Sequence, residues 1–121
     1  MPYDETLAER LRCQLTRKRG IEEKRMFGGI GFLWQGNMAL GVWRDWLIVR
    51  VGTTAAADLQ YVPHAKVMDL TGRPMRGWLM IAPAGWDAEN DLKTWVSHAM
   101  EFVKTIPRKS GPSDKRPKDA R

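Results

Sequence analysis

One stretch, Met26–Val51, constrains the fold of this chain more than any other part of the sequence. Its residues are mostly aromatic, β-branched or large apolar types, which favour β-strands. The three apolar runs in it are Met26–Trp34, Met38–Trp43 and Trp46–Val51. Only Gln35–Asn37 and Arg44–Asp45 separate the runs. Because connections this short cannot form a parallel crossover, the stretch predicts an antiparallel three-stranded meander.

Alternation along the third run predicts which residues face the core. Leu47, Val49 and Val51 share one face, which we expect to be buried, and Arg50 then lies on the opposite face close to Trp46. The first run contains Gly28, Gly29 and Gly31, which could be mistaken for a phosphate-binding loop. Such a loop opens a helix, whereas an aromatic run follows here, so we interpret the glycines as a bend in a strand.

Helical patterns flank the meander on both sides. Tyr3–Arg19 predicts a first helix with Asp4 as its N-cap, and Ile21–Arg25 reads as a connector into the sheet. After Val51, a short helix with a threonine N-cap is expected, ending no later than Val62 because Pro63 follows.

The second half of the chain predicts a hairpin and a closing helix. Val67–Leu70 and Gly77–Pro83 read as two paired strands, with Arg73 and Arg76 near the tip of the hairpin. The last helix should begin at an Asp87 N-cap and end before Pro107. It carries one continuous apolar face formed by Leu92, Trp95, Val96, Ala99, Phe102, Val103 and Ile106.

The element order α-β-β-β-α-β-β-α predicts an α+β domain. Its five-stranded, largely antiparallel sheet should carry helices on one face. The other face would then expose tryptophan and methionine, of which the chain has 6 and 7. Because both residue types are enriched at the centres of interfaces, we expect a protein partner, a homodimer or both.

The charge is concentrated at the C-terminus. Of the net charge of +6, the segment 107–121 carries six cations against two aspartates. These cations are Arg108, Lys109, Lys115, Arg116, Lys118 and Arg121. Residues 1–106 should therefore form one near-neutral domain, followed by a disordered basic tail that could contact nucleic acid. No apolar run is long enough for a membrane span and the N-terminus does not resemble a signal peptide, so we expect a cytoplasmic location.

The residues that could carry chemistry are few. Cys13 is the single cysteine and is interpreted as a partly buried filler, while His64 lies in a loop and His98 should be solvated. We find no metal-ligand or catalytic motif and expect no enzyme activity and no cofactor. One alternative is a small anion site formed by the guanidinium groups of Arg50, Arg73 and Arg76, against simple ion pairs with acids such as Asp69.

Several ordered motifs resemble the N-terminal domain of the TfoX/Sxy family. They are Met26–Phe32, Gly36–Ala39, Leu47–Gly52, Met68–Trp78 and the closing helix through Pro107. The resemblance implies an α+β fold similar to type III secretion chaperones and no established catalytic residues. Full-length members are regulators of natural competence, thought to act with a cyclic-AMP-responsive transcription factor, and carry a second helical domain. Only 14 residues follow Pro107 here, so a stand-alone N-terminal domain is expected.

The sequence is compatible with three functions. The first is a non-enzymatic module that binds protein partners in transcription regulation. The second is an accessory protein that binds nucleic acid through its tail, and the third is a small anion-binding domain.

Overall fold

The computed structural model describes residues 3–16, 20–26, 28–69, 72 and 75–107, in which helices pack on one face of a six-stranded antiparallel sheet. The helices are α1 (Glu5–Leu15), α2 (Gly52–Leu59), α3 (Pro83–Trp86) and α4 (Glu89–Val103). The strands are β1 (Ile21–Met26), β2 (Gly29–Trp34), β3 (Asn37–Trp43), β4 (Trp46–Arg50), β5 (Ala65–Met68) and β6 (Met75–Ile81). Their order in the sheet is β1-β2-β3-β4-β6-β5. The predicted α+β class is confirmed, but the predicted count of five strands is wrong.

The additional strand is β1, which we had interpreted as a connector. Its sequence, IEEKRM, is mostly charged and shows no apolar alternation, because β1 is the outermost strand of the sheet and pairs with β2 alone. Charged side chains on an edge strand discourage pairing with another chain. The predicted first strand therefore divides into two, with β1 ending at Met26 and β2 beginning at Gly29.

The meander is confirmed as the centre of the sheet. β2 pairs with β3 and β3 with β4, both antiparallel. The turns use left-handed backbone conformations, with φ of 51° at Gln35, 87° at Gly36 and 55° at Arg44. The hairpin predicted from the second half of the chain is also present, as the antiparallel pair β5–β6.

A glycine, and not a threonine cap, makes the junction between β4 and α2. Gly52 has φ +87°, and a Cβ atom there would lie 2.6 Å from the ring of Phe102. Val51 occupies the N-cap position and makes no side-chain capping bond, so the predicted threonine cap is wrong. The backbone N–H of Val51 donates to the carbonyl oxygen of Gly77 at 2.9 Å, which ties the junction to β6.

The helices bury their apolar sides against one sheet face. Leu7 and Leu11 of α1, Leu47 and Val49 of β4, and Leu92 of α4 are fully buried in this main core. Each such side chain contributes about 1.5–3 kcal/mol relative to an exposed one. The predicted core face of β4 is thereby confirmed, and so is most of the apolar stripe of α4, although Phe102 and Ile106 are only half-buried.

One predicted helix cap is right and another is wrong. Asp4 caps α1 as expected, its carboxylate accepting a hydrogen bond from the N–H of Leu7 at 3.0 Å. The N-cap of α4 is Ala88, because Asp87 is occupied as the C-cap of the short helix α3. Pro83 begins α3, where its missing N–H costs nothing.

Candidate interaction surface

The sheet has a second face, and no described helix packs across it. Residues paired in register lie on the same face, so the pairs Trp43–Trp46, Ile48–Met80, Arg50–Trp78 and Lys66–Met80 define it. We call this set of seven residues, together with Met68, the open face. Ile48, Met68 and Met80 form a separate small apolar cluster with the three tryptophans packed around it, and no helix residue contributes to that cluster.

The open face is neither a core nor an ordinary polar surface. Its three central side chains, Ile48, Met68 and Met80, are buried, while Trp43, Trp46 and Trp78 are half-buried. The prediction that one sheet face carries tryptophan and methionine without a helix over it is thereby confirmed. The part of this face that solvent reaches is therefore the three tryptophan rings, a residue type that is enriched in protein interfaces.

Each tryptophan of the open face lies beside one cation. The guanidinium carbon of Arg44 is 4.6 Å from the ring centre of Trp43. The ammonium of Lys66 is 5.0 Å from the ring centre of Trp46. The guanidinium carbon of Arg50 is 5.4 Å from the ring centre of Trp78. These distances are those of cation–π contacts.

The pairing of Arg50 with Trp78 corrects our expectation that Arg50 would lie beside Trp46. The neighbour is set by the register between β4 and β6, which local alternation does not contain. Arg50 also lies 5.6 Å from the ring centre of Phe102 and donates through Nη1 to the carbonyl oxygen of Met38 at 3.5 Å. Phe102, a residue of α4, therefore lies beside the open face at the end of β4.

The three cations give the open face a positive charge. Among the described residues, none of Arg44, Arg50 and Lys66 has a carboxylate within salt-bridge distance. The described ion pairs all involve α1 and join Arg10 to Glu89 at 3.1 Å, and Arg12 to Glu9 and Glu23 at 2.9 Å and 2.7 Å. Hydrogen bonds to Glu23 and then Glu9 raise the pKa of Arg12, which belongs to α1 on the helical side of the molecule.

The predicted anion site is described only in part. Arg76 is exposed on β6, two residues before Trp78, whereas Arg73 lies outside the described residues. Arg50 is engaged with two aromatic rings and a backbone carbonyl. The anion site formed by Arg50, Arg73 and Arg76 therefore stays a prediction.

Among the described residues, two of the concave spaces lie on the helical side. One, of about 540 Å³, lies along α1 and β1 and is lined by Arg10, Arg12, Cys13 and Arg25, among others. Cys13 is exposed, so the prediction of a partly buried filler is wrong. It lies two residues, or about 200° around the helix, from buried Leu11 and so faces away from the core.

The second space, of about 240 Å³, brings together the two histidines of the chain. His64 and His98 line it with Asp91 and Trp95. His98 is half-buried and its ring centre lies 5.9 Å from that of Trp95, so it is not simply solvated as predicted. Within the part of the chain that the structure describes, no group of three or more His, Cys, Asp or Glu residues could hold a metal ion.

A hydrogen bond holds Pro107, the last described residue, against the sheet. The side-chain amide of Asn37, at the turn between β2 and β3, donates to the carbonyl oxygen of Pro107 at 2.8 Å. The six candidate nucleic-acid contacts, Arg108, Lys109, Lys115, Arg116, Lys118 and Arg121, follow this point and lie outside the described residues. None of the described helices is long and apolar enough to cross a membrane.

Comparison with known proteins adds one finding to this geometry. A family model described as the TfoX N-terminal domain matches residues 14–103, from the end of α1 to the end of α4. The matched range includes all six strands and therefore the whole open face. No curated protein and no solved structure matches the chain.

Proposed function

Since the chain belongs to the TfoX N-terminal domain family, we propose that it is a non-enzymatic module that regulates transcription by binding a partner protein. The observation that carries this proposal is the open face, a tryptophan-rich sheet surface with no described helix over it. The family match supports a competence-regulator-like role. The open face could carry out this role by binding a partner, without catalysing a reaction.

The side-chain chemistry of the open face favours binding over catalysis. It consists of aromatic, aliphatic, methionine and cationic side chains. Its eight defining residues include no hydroxyl, thiol, imidazole or carboxylate, and their single lysine, Lys66, is exposed beside the ring of Trp46, so no nucleophile lies next to a general base among them. Large rigid aromatic side chains that are partly desolvated are the residues that most often dominate binding energy in protein interfaces.

The experiment replaces Lys66 of the open face and Arg44, the cation beside Trp43, in the native cell and measures transcript levels. We call this double variant the open-face variant. The test variant combines Arg44→Asn with Lys66→Glu. Both side chains are exposed, and asparagine tolerates the left-handed backbone at Arg44. Lys93→Glu, on the exposed side of α4, is the matched control because it changes charge on the helical side.

We expect the deletion strain and the open-face variant to change the same set of transcripts, and the Lys93→Glu strain to match the wild type. Immunoblotting must show that the wild-type protein, the open-face variant and the Lys93→Glu variant are present in equal amounts. A deletion that changes no transcript would refute the regulatory role. An open-face variant that behaves as wild type, in cells where the deletion does not, would refute this surface as the site of action.

A second candidate function is nucleic-acid binding through the tail. The six cations after Pro107 favour it, because they could contact phosphates without sequence preference. Truncation after Ile106 tests it in a filter-binding assay across a salt series. We expect any affinity for DNA to disappear with the tail, and affinity that survives truncation would assign it to the folded domain.

A further inference from the structure

We infer that the partner presents an acidic segment, in which carboxylates alternate with apolar side chains, to the open face. This inference rests on the proposed function and adds the chemistry of the partner. Three observations support it: the positions of the three cations, their contacts with the tryptophans, and the lack of a carboxylate within salt-bridge distance of them among the described residues.

The cations surround an apolar centre. Arg44 lies in the turn before β4, Arg50 ends β4, and Lys66 lies on the outermost strand β5. Between them, Ile48 and Met80 are directly paired and each is 2% exposed. Because Ile48 and Met80 are buried, a segment lying on this surface would meet the half-buried rings of the three tryptophans, each with a cation beside it.

The cation–π geometry leaves the cations able to bind a second group. An arginine that stacks on a ring uses the flat face of its guanidinium, so the N–H donors at its edge still point outward in the plane. Arg44 is 4.6 Å from the ring centre of Trp43 and has no described hydrogen bond from its side chain, whereas Arg50, 5.4 Å from Trp78, uses Nη1 for the carbonyl oxygen of Met38 and keeps its other donors. Those donors form a fork that matches the two oxygens of a carboxylate.

The backbone holds Arg44 in place for such contact. Its carbonyl oxygen accepts a hydrogen bond from the N–H of Asp4 at 2.7 Å, and the segment at Tyr3 forms a bridge with it. A group that is already positioned loses less freedom on binding than a mobile one. The backbone of Arg44 is therefore held in place, and its exposed side chain lies against the ring of Trp43.

The same features argue against two other occupants. A second copy of the chain would place two cation-bearing open faces opposite each other, and like charges across an interface oppose association. Single-stranded nucleic acid binds by stacking bases on aromatic rings. Here a cation already lies over each of the three rings, so bases would have to displace it.

The test is an NMR titration of the full ¹⁵N-labelled chain with a synthetic peptide of alternating glutamate and leucine. The indole N–H signals of Trp43, Trp46 and Trp78 report on the open face. Trp95 supplies an internal reference, because it is 5% exposed and its Nε1 donates to the carbonyl oxygen of Gly85 at 3.2 Å. The same peptide with lysine in place of glutamate is the matched control, and oligothymidylate is the nucleic-acid probe.

We expect the three open-face signals to shift with the glutamate peptide while the Trp95 signal stays, and no shift with the lysine peptide. Arg44→Asn and Lys66→Gln should each weaken the apparent affinity about two- to fivefold, as removal of one exposed ion pair does. Raising the ionic strength should weaken it further. Lys93→Gln should leave it unchanged.

Three results would overturn the inference. They are no shift of the open-face signals at millimolar glutamate peptide, equal shifts with the lysine peptide, and tighter binding of oligothymidylate through the same signals. If any of these occurs while the open-face variant still alters transcripts in the cell, the acidic partner is wrong and the proposed function stands. If the peptide binds as expected but the cellular variants are silent, the proposed function fails instead.

Discussion

Replacing Gly52 with alanine should destabilise the domain by about 2–5 kcal/mol, the sum of two separate costs. The first is backbone strain: with φ +87°, a residue that has a Cβ atom loses about 1–2 kcal/mol. The second is a clash, because the added Cβ would lie 2.6 Å from two ring atoms of Phe102, and overpacking of this kind costs about 1–3 kcal/mol. The measurement is urea unfolding followed by circular dichroism.

Gly28→Ala is the matched control for the strain alone. Gly28 has φ +79°, and a Cβ there would meet nothing within 4 Å, so we expect a loss of only about 1–2 kcal/mol. In a Phe102→Ala background the clashing ring atoms are absent, and Gly52→Ala should then cost as little as Gly28→Ala. The reasoning is refuted if Gly52→Ala costs no more than Gly28→Ala, or if its cost is the same with and without the Phe102 ring.

Three further outcomes follow from single contacts. Asp4→Ala should lower the free energy of unfolding by about 0.5–2 kcal/mol. Asp4→Ser should lower it by clearly less, because serine can still accept the N-cap hydrogen bond. Equal losses of unfolding free energy for the two variants, measured in urea, would contradict the cap. Trp86→Phe should cost about 1–3 kcal/mol, since it leaves the carbonyl oxygen of Asp45 without its 3.0 Å hydrogen bond, and an unchanged urea midpoint would contradict this. Exposed Cys13 should react completely with Ellman's reagent in the native protein, and a thiol that reacts only in denaturant would contradict its position.

The sequence was most informative where the pattern is local. The turns at Gln35–Asn37 and Arg44–Asp45 predicted the meander, and the alternation in β4 predicted that Leu47 and Val49 are buried. Asp4 was identified as an N-cap for the same reason, since a cap depends on its own first turn. Such features depend on neighbours within a few residues, and tertiary contacts did not override them.

The sequence was least informative where distant segments decide. Ile21–Met26 is a strand because β2 offers a pairing edge, not because its own residues alternate. Val51 occupies the N-cap position of α2, because Gly52 makes the turn against the ring of Phe102. His64 and His98, far apart along the chain, line one cavity.

The open face could be predicted only in outline. The surplus of tryptophan and methionine indicated an uncovered sheet surface, but not which cation lies over which ring. The contact between Lys66 and Trp46 joins β5 to β4 across β6, and the partner of Arg50 depends on the register between β4 and β6. Register and strand order are global properties, so the cationic margin became visible only in the structure.

Site-specific photo-crosslinking in the native cell tests most directly whether the open face contacts a different protein. A photoreactive phenylalanine analogue replaces Lys66 in one strain and Ser97, on the exposed side of α4, in another. We expect one discrete adduct from position 66, in which mass spectrometry identifies a different, acidic protein, and no adduct from position 97. The yield of the adduct from position 66 should fall when Arg44→Asn is added. Adducts from position 97 alone, or an adduct of twice the chain mass from position 66, would contradict the account.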